Sequence, residues 1–148
     1  MKNIVMARED NLNDWVRMGL QLWPDNTEDE LEKSFLDTLK SDNEEGLLYC
    51  LDNDYVGFIN VSIRSDYVNG STSSPVAYVE GIYVKPQYRN RNIARELIRA
   101  GEIWGSNKGC IQMGSDILID NKNSYDFHKK VGFDEAETVI CFIKDISK

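Results

Sequence analysis

Three observations predict an α+β fold, in the mixed α/β sense. Two segments with helical spacing open the chain, a strand pair joined by a tight turn follows, and a strand–helix–strand crossover comes next. The element order reads ααββ–βαβα–β, which combines antiparallel hairpins with one parallel connection. At 148 residues the chain is expected to form one domain, 1–148, with its own core.

Each element has a local reason. In NLNDWVRMGLQLW, residues 11–23, Leu12, Trp15, Val16, Leu20 and Trp23 recur near helical spacing. TEDE, Thr27 to Glu30, is a capping-box pattern opening a second helix whose apolar positions are Leu31, Phe35, Leu36 and Leu39. GLLYCLDNDYVGFINVSIR reads as two strands joined by a tight turn at Asp52, Asn53 and Asp54. SDYVNGSTSSP is loop-like, with Tyr67 and Val68 embedded among Asn, Gly and Ser. VAYVEGIYV is a strand, followed by a helix from about Asn92 to Asn107 and a strand over CIQMGSDI. DNKNSYDFHKK reads as a short helix ending at Gly132, and ETVICFIKDI as a closing strand. Repeats, low-complexity tracts and linkers are absent from the sequence.

The totals narrow the function. The opening MKNIVMARED carries four charges and no apolar run, so it does not read as a signal peptide. No apolar stretch reaches the ~20 residues that span a bilayer, and a cytoplasmic location is the expectation. Cys50, Cys110 and Cys141 are odd in number, lack a C-x-x-C pair and lie in apolar runs, which reads as buried thiols in a reducing compartment. With His128 as the single histidine, no metal site is expected. A formal charge of −8 argues against a nucleic-acid binder and suits either simple solubility or a cationic substrate drawn in by the field.

Against that acidity, YVEGIYVKPQYRNRNIARELIRA gathers Lys85, Arg89, Arg91, Arg95 and Arg99 around the single acid Glu96 after the strand. A strand running into a helix N-terminus presents free backbone N–H groups and the positive end of the helix dipole. Arginines beside such donors suit phosphate oxygens. The turn is therefore a candidate pyrophosphate cradle; the plainer reading is a solvated helix face.

YVKPQYRNRNIARELI resembles the acyl-CoA-binding motif of the GNAT superfamily of N-acetyltransferases: a strand, then Arg/Gln-x-x-Gly-x-Gly/Ala, then a helix. Arg89 takes the first position and Ala94 the last, while Asn92 stands where the family has glycine. Asn tolerates positive φ better than most residues. A second element runs from Asn121 through Tyr125 and His128 to Gly132 and Phe133. His128 fills the slot of a tyrosine that protonates the departing CoA thiolate in many members, leaving Tyr125 or His128 itself as substitutes. The resemblance implies a central mixed, mostly antiparallel sheet flanked by helices, with acetyl-CoA as co-substrate.

A narrower resemblance spans nearly the whole chain. Leu22-Trp23, the string YVNG…SPV…EGIYV, Ser115-Asp116 and Asp120-Asn121 are similar to bacterial aminoglycoside 6′-N-acetyltransferases, resistance enzymes for kanamycin- and tobramycin-like drugs. It implies substrate contacts at Trp23, Tyr67, Glu80, Asp116 and Glu137. It also implies acetyl-CoA contacts at Ile82, Tyr83 and Val84, along Arg89, Asn90, Arg91, Asn92, Ile93 and Ala94, and at Asn121. The chemistry agrees, because a polyamine sugar calls for carboxylates and flat aromatic surfaces.

Plainer readings stand beside these roles: Trp23 as core, Glu137 as surface, Cys110 and Cys141 as core. Glu80, inside an apolar strand, requires either a site role or a bulge at Gly81 that turns it outward. The implied mechanism is direct transfer in a ternary complex, with backbone N–H groups near Val84 polarising the thioester and Asp116 holding the amine. The resemblance further implies a homodimer, and a β-rich last strand such as ETVICFIKDI could pair or exchange across a two-fold axis. The alternatives are an acetyltransferase for polyamines or for protein and peptide amines, and a catalytically silent CoA-binding domain.

Overall fold

The computed structural model, which describes residues 2–147, is built on a five-stranded sheet in the order β1-β2-β3-β4-β5. The strands are β1 (Ile4–Met6), β2 (Glu44–Leu51), β3 (Asp54–Arg64), β4 (Val76–Val84) and β5 (Met113–Gly114). All neighbours are antiparallel except β4 and β5, which run parallel. Around the sheet lie α1 (Leu12–Leu22), α2 (Glu28–Lys40) and α3 (Ile93–Asn107), and α4 (Lys122–Lys130) follows. The described chain divides into two compact units, Met1–Asp116 and Ile117–Lys148.

Local chemistry explains the elements of the first unit. The capping box forms as expected: the Thr27 amide donates to Glu30 Oε1 at 2.7 Å and the Glu30 amide to Thr27 Oγ1 at 3.1 Å. The β2–β3 turn places Asp52 and Asn53 at φ of 52° and 64°, the left-handed pair that suits strand twist. Trp15, Val16, Leu31 and Phe35 from the two helices pack with Leu48 and Phe58, which are register partners across β2 and β3. On the other face, Ile59 and Val61 approach Gly101 of α3, and Ala77 approaches Gly105 so closely that an added Cβ would lie 2.6 Å from it. The sheet is therefore sandwiched between α1/α2 and α3.

Four expectations are corrected. β1 is a strand that short-range pattern does not reveal, because three residues carry too little periodicity; it exists through its ladder with Leu47–Tyr49 of β2. The strand expected over CIQMGSDI shrinks to Met113–Gly114, pairing only with Ala77 and Tyr78. The closing strand expected at ETVICFIKDI is absent: residues 133–147 form neither helix nor strand. A β-prone run becomes a strand only when an edge is available to pair with it. Cys141, expected in the core, is exposed for the same reason, whereas Cys110 is buried and Cys50 half-buried at a register shift in β2.

Candidate active site

The site is organised by a bulge in β4. Asn60 pairs with Gly81 and Val61 with Val79, so Glu80 is the extra residue without a partner on β3. The carboxylate thereby escapes burial in an apolar strand. It accepts from Ser62 Oγ at 2.5 Å and from Arg64, whose Nη2 lies 3.0 Å from both oxygens. The outward-turning bulge is thus found, one residue before the glycine proposed for it. Gly81 itself is packed against Trp23, and an added Cβ would sit 2.3 Å from Trp23 Cζ2.

Trp23 is half-buried, with its ring 6.0 Å from Phe58 and 6.3 Å from Phe35. It belongs partly to the core and partly to a cleft of about 560 Å³ on the α1/α2 face. Asn26, Glu44, Ser62 and Glu80 line the same cleft, a volume in the range of small-molecule sites. Asp116, two residues past β5, receives a short hydrogen bond from the Tyr78 hydroxyl. The Arg64 guanidinium lies 3.5 Å over the Tyr78 ring. Burial first, then the hydrogen bond and charge of Asp116, push the Tyr78 phenol far above the ordinary tyrosine range.

Tyr67 is 75 % exposed at the tip of its loop, while its neighbour Val68 is buried with Val76 and Tyr78. The loop is therefore anchored at Val68 and presents Tyr67 outward. Gln112 Oε1 ties it further by accepting from the Thr72 amide at 2.8 Å and Ser73 Oγ at 2.6 Å.

Past Tyr78, β4 loses the partner on its β5 side. The Lys85 amide donates to Val56 O at 2.8 Å, toward β3, and N–H directions alternate along a strand. The amides of Ile82 and Val84 consequently face the open edge. Val84 O accepts from Arg89 Nε there at 2.8 Å. Tyr83 turns to the other face, its ring 6.2 Å from Phe58.

The turn that follows uses Asn where backbone freedom is needed. Asn90 and Asn92 adopt φ of 64° and 65°, and Asn92 is the N-cap of α3. The side chain of Ile93 is buried while Arg91 and Asn92 are exposed, and the first amides of α3 have no intrahelical acceptor. Ala94 is half-buried beside them. The positive charge is partly offset, since Lys85 pairs with Asp54 at 3.5 Å and Arg99 with Glu102 at 3.2 Å. Arg91 lies 5.3 Å over Tyr88.

The second unit holds the remaining predicted residues. Asn121 caps α4, its Oδ1 accepting from the Ser124 amide at 3.1 Å. Tyr125 donates to Glu135 at 2.9 Å, and that bond raises its phenol pKa. His128 Nδ1 lies 2.7 Å from the Ser124 carbonyl, and its ring is 5.0 Å from Phe133. Glu137 is exposed.

Sequence reasoning missed Tyr78, Ser62 and Arg64. Their signal was parity: Ser62 and Arg64 recur at period two in β3, and Tyr78 and Glu80 do so in β4. Among the described residues no group of His, Cys, Asp or Glu converges as a metal site, and no helix is long and apolar enough to cross a membrane.

Comparison with known proteins places this arrangement. The sequence model of the acetyltransferase (GNAT) family matches residues 8–133. An aminoglycoside N(6')-acetyltransferase type 1 of Salmonella typhimurium is 40 % identical over 134 residues, 90 % of this chain and 92 % of the relative. One from Acinetobacter baumannii is 36 % identical over 144 residues, 97 % of this chain and 99 % of the relative. The structure of AAC(6')-Iy with the bisubstrate analog CoA-S-monomethyl-acetylneamine superposes with a TM-score of 0.94 at 38 % identity, covering 97 % of each chain. An apo aminoglycoside 6'-N-acetyltransferase from Acinetobacter haemolyticus gives a TM-score of 0.94 at 36 % identity, over 98 % and 99 %. With a bulged β4, an open strand edge beside a helix N-terminus and likeness of this extent, the chain belongs to the acetyltransferase (GNAT) family.

Proposed function

We propose that the protein is an aminoglycoside 6′-N-acetyltransferase, moving an acetyl group from acetyl-CoA to the 6′-amine of the drug within one ternary complex. The observation that carries this reading is the likeness to relatives of that name, 40 % identical over nine-tenths of the chain. The local geometry supports it. Glu80, Asp116 and the face of Trp23 suit a polycationic sugar, and the open edge of β4 lies next to a turn suited to phosphate.

In this reading the cleft side of β4 takes the amine and the open edge takes acetyl-CoA. The amides of Ile82 and Val84 bind the donor, and the Val84 amide stabilises charge on the thioester oxygen. Tyr83 supports them from the other face. Arg89, Asn90, Arg91, Asn92, Ile93 and Ala94 form the pyrophosphate cradle, with Asn121 a further contact. Trp23, Tyr67, Glu80, Asp116 and Glu137 bind the drug. The amine nitrogen forms a bond to the acetyl carbon as the carbon–sulfur bond breaks. Asp116 orients the ammonium and passes its proton to water, and the thiolate is protonated by His128 or Tyr125.

The working form in this proposal is a cytoplasmic homodimer. Val139, Ile140, Phe142, Ile143 and Ile146 are 58–98 % exposed, and a second copy of the chain would cover them. Three free thiols suit a reducing compartment.

The test is CoA-thiol release with kanamycin A against paromomycin, which carries a 6′-hydroxyl. Turnover with kanamycin A alone is expected. Equal turnover would place the reactive amine elsewhere, and turnover only with polyamines or peptides would replace the reading.

A further inference from the structure

We propose that Tyr78 is a positioning residue for the acceptor amine, acting through Asp116: its hydroxyl holds Oδ2, so that Oδ1 is presented to the ammonium. This rests on the reading of Asp116 as the carboxylate that holds the amine.

Asp116 is exposed and lies beyond the last ladder pair of β5, so its backbone alone does not fix its side chain. Tyr78 is the opposite case. It is buried, paired on both sides within the sheet, and packed against Val68 and Val76. Arg64 covers its ring at 3.5 Å and is itself held by Glu80. The ring therefore cannot swing, and a buried phenol needs a polar partner. The partner it has is Asp116 Oδ2. With its phenol pKa raised, Tyr78 stays protonated, and hence a donor, throughout the neutral range.

The same arrangement distributes charge. Glu80 shares its charge with Arg64 in an ion pair, while Asp116 joins none of the ion pairs among the described residues. A hydrogen bond from a neutral phenol orients a carboxylate without cancelling its charge. Asp116 is thus held in place by a neutral donor, with no counter-cation among those ion pairs.

Steady-state kinetics on the full chain, with kanamycin A and acetyl-CoA, test the proposal. Tyr78→Phe keeps the ring under Arg64 and removes only the donor. It is expected to lower kcat/KM for the aminoglycoside about tenfold or more, the size expected for a hydrogen bond to a charged group, with KM for acetyl-CoA unchanged. In an Asp116→Asn background the same change should add less than about twofold, because the group it positions has already been altered. Incorporation of 3-fluorotyrosine at position 78, which keeps ring and donor, should restore activity and guards against a folding artefact. An equal loss in both backgrounds, or a parallel rise in KM for acetyl-CoA, would mean a general structural role and overturn the proposal. Wild-type kinetics in Tyr78→Phe with a disabled Asp116→Asn would overturn it while leaving the reading of Asp116 intact. Full activity in Asp116→Asn would remove both.

Discussion

The two halves of β4 belong to one strand and live in different surroundings. At Ala77 and Tyr78 the strand is flanked by β3 and β5, buried, and tied to the Tyr67 loop through Val68. From Val79 to Val84 it keeps β3 alone, and the bulge at Glu80 marks the change. The doubly paired half supplies rigidity, and it carries the tyrosine that holds Asp116. The singly paired half supplies free backbone donors, which a fully paired strand has none of. A single strand thus provides both a fixed polar face and an open edge.

If this division is right, variants should separate by substrate. The largest effect is expected at Asp116→Asn, with kcat/KM for the aminoglycoside falling about 10²- to 10³-fold and acetyl-CoA affinity by calorimetry unchanged. Arg89→Ala removes the bond to Val84 O and should do the reverse, weakening acetyl-CoA about tenfold while sparing the aminoglycoside KM. Loss of both affinities in either variant would erase the division. Gly81→Val forces a side chain into Trp23 at the bulge and should cost about 1–3 kcal/mol in denaturant unfolding. An unchanged midpoint would show that the bulge is softer than the packing indicates.

The smallest effect concerns pH. The folded-state pKa of Tyr78 is raised, so its contribution to stability is present below the unfolded value of about 10 and declines as pH rises beyond it. Wild type should therefore lose stability above that pH more steeply than Tyr78→Phe, as thermal midpoints can show. Equal slopes would mean that the phenol is not selectively stabilised in its neutral form.

Much of this was legible in the sequence because it was local. The capping box at Thr27, the turn at Asp52-Asn53 and the left-handed Asn92 each follow from chemistry within a few residues. Glu80 was legible as a conflict, an acid in an apolar run, although only register shows that it is the bulged residue. Tyr78 and Arg64 left only strand parity in the sequence, since their contacts, a stacked arginine and a carboxylate 38 residues away in sequence, depend on tertiary placement. ETVICFIKDI misled because strand propensity states what a segment prefers, whereas a strand needs an edge. Its Phe142 and Ile143 are exposed instead.

The measurement that tests the division of β4 most directly is a backbone amide NMR titration with acetyl-CoA, followed by kanamycin A. The account predicts that acetyl-CoA shifts Ile82, Val84 and residues 91–94 most, and that kanamycin A then moves Tyr78, Glu80 and Asp116. Acetyl-CoA shifts confined to the α1/α2 cleft, with Ile82 and Val84 silent, would contradict it.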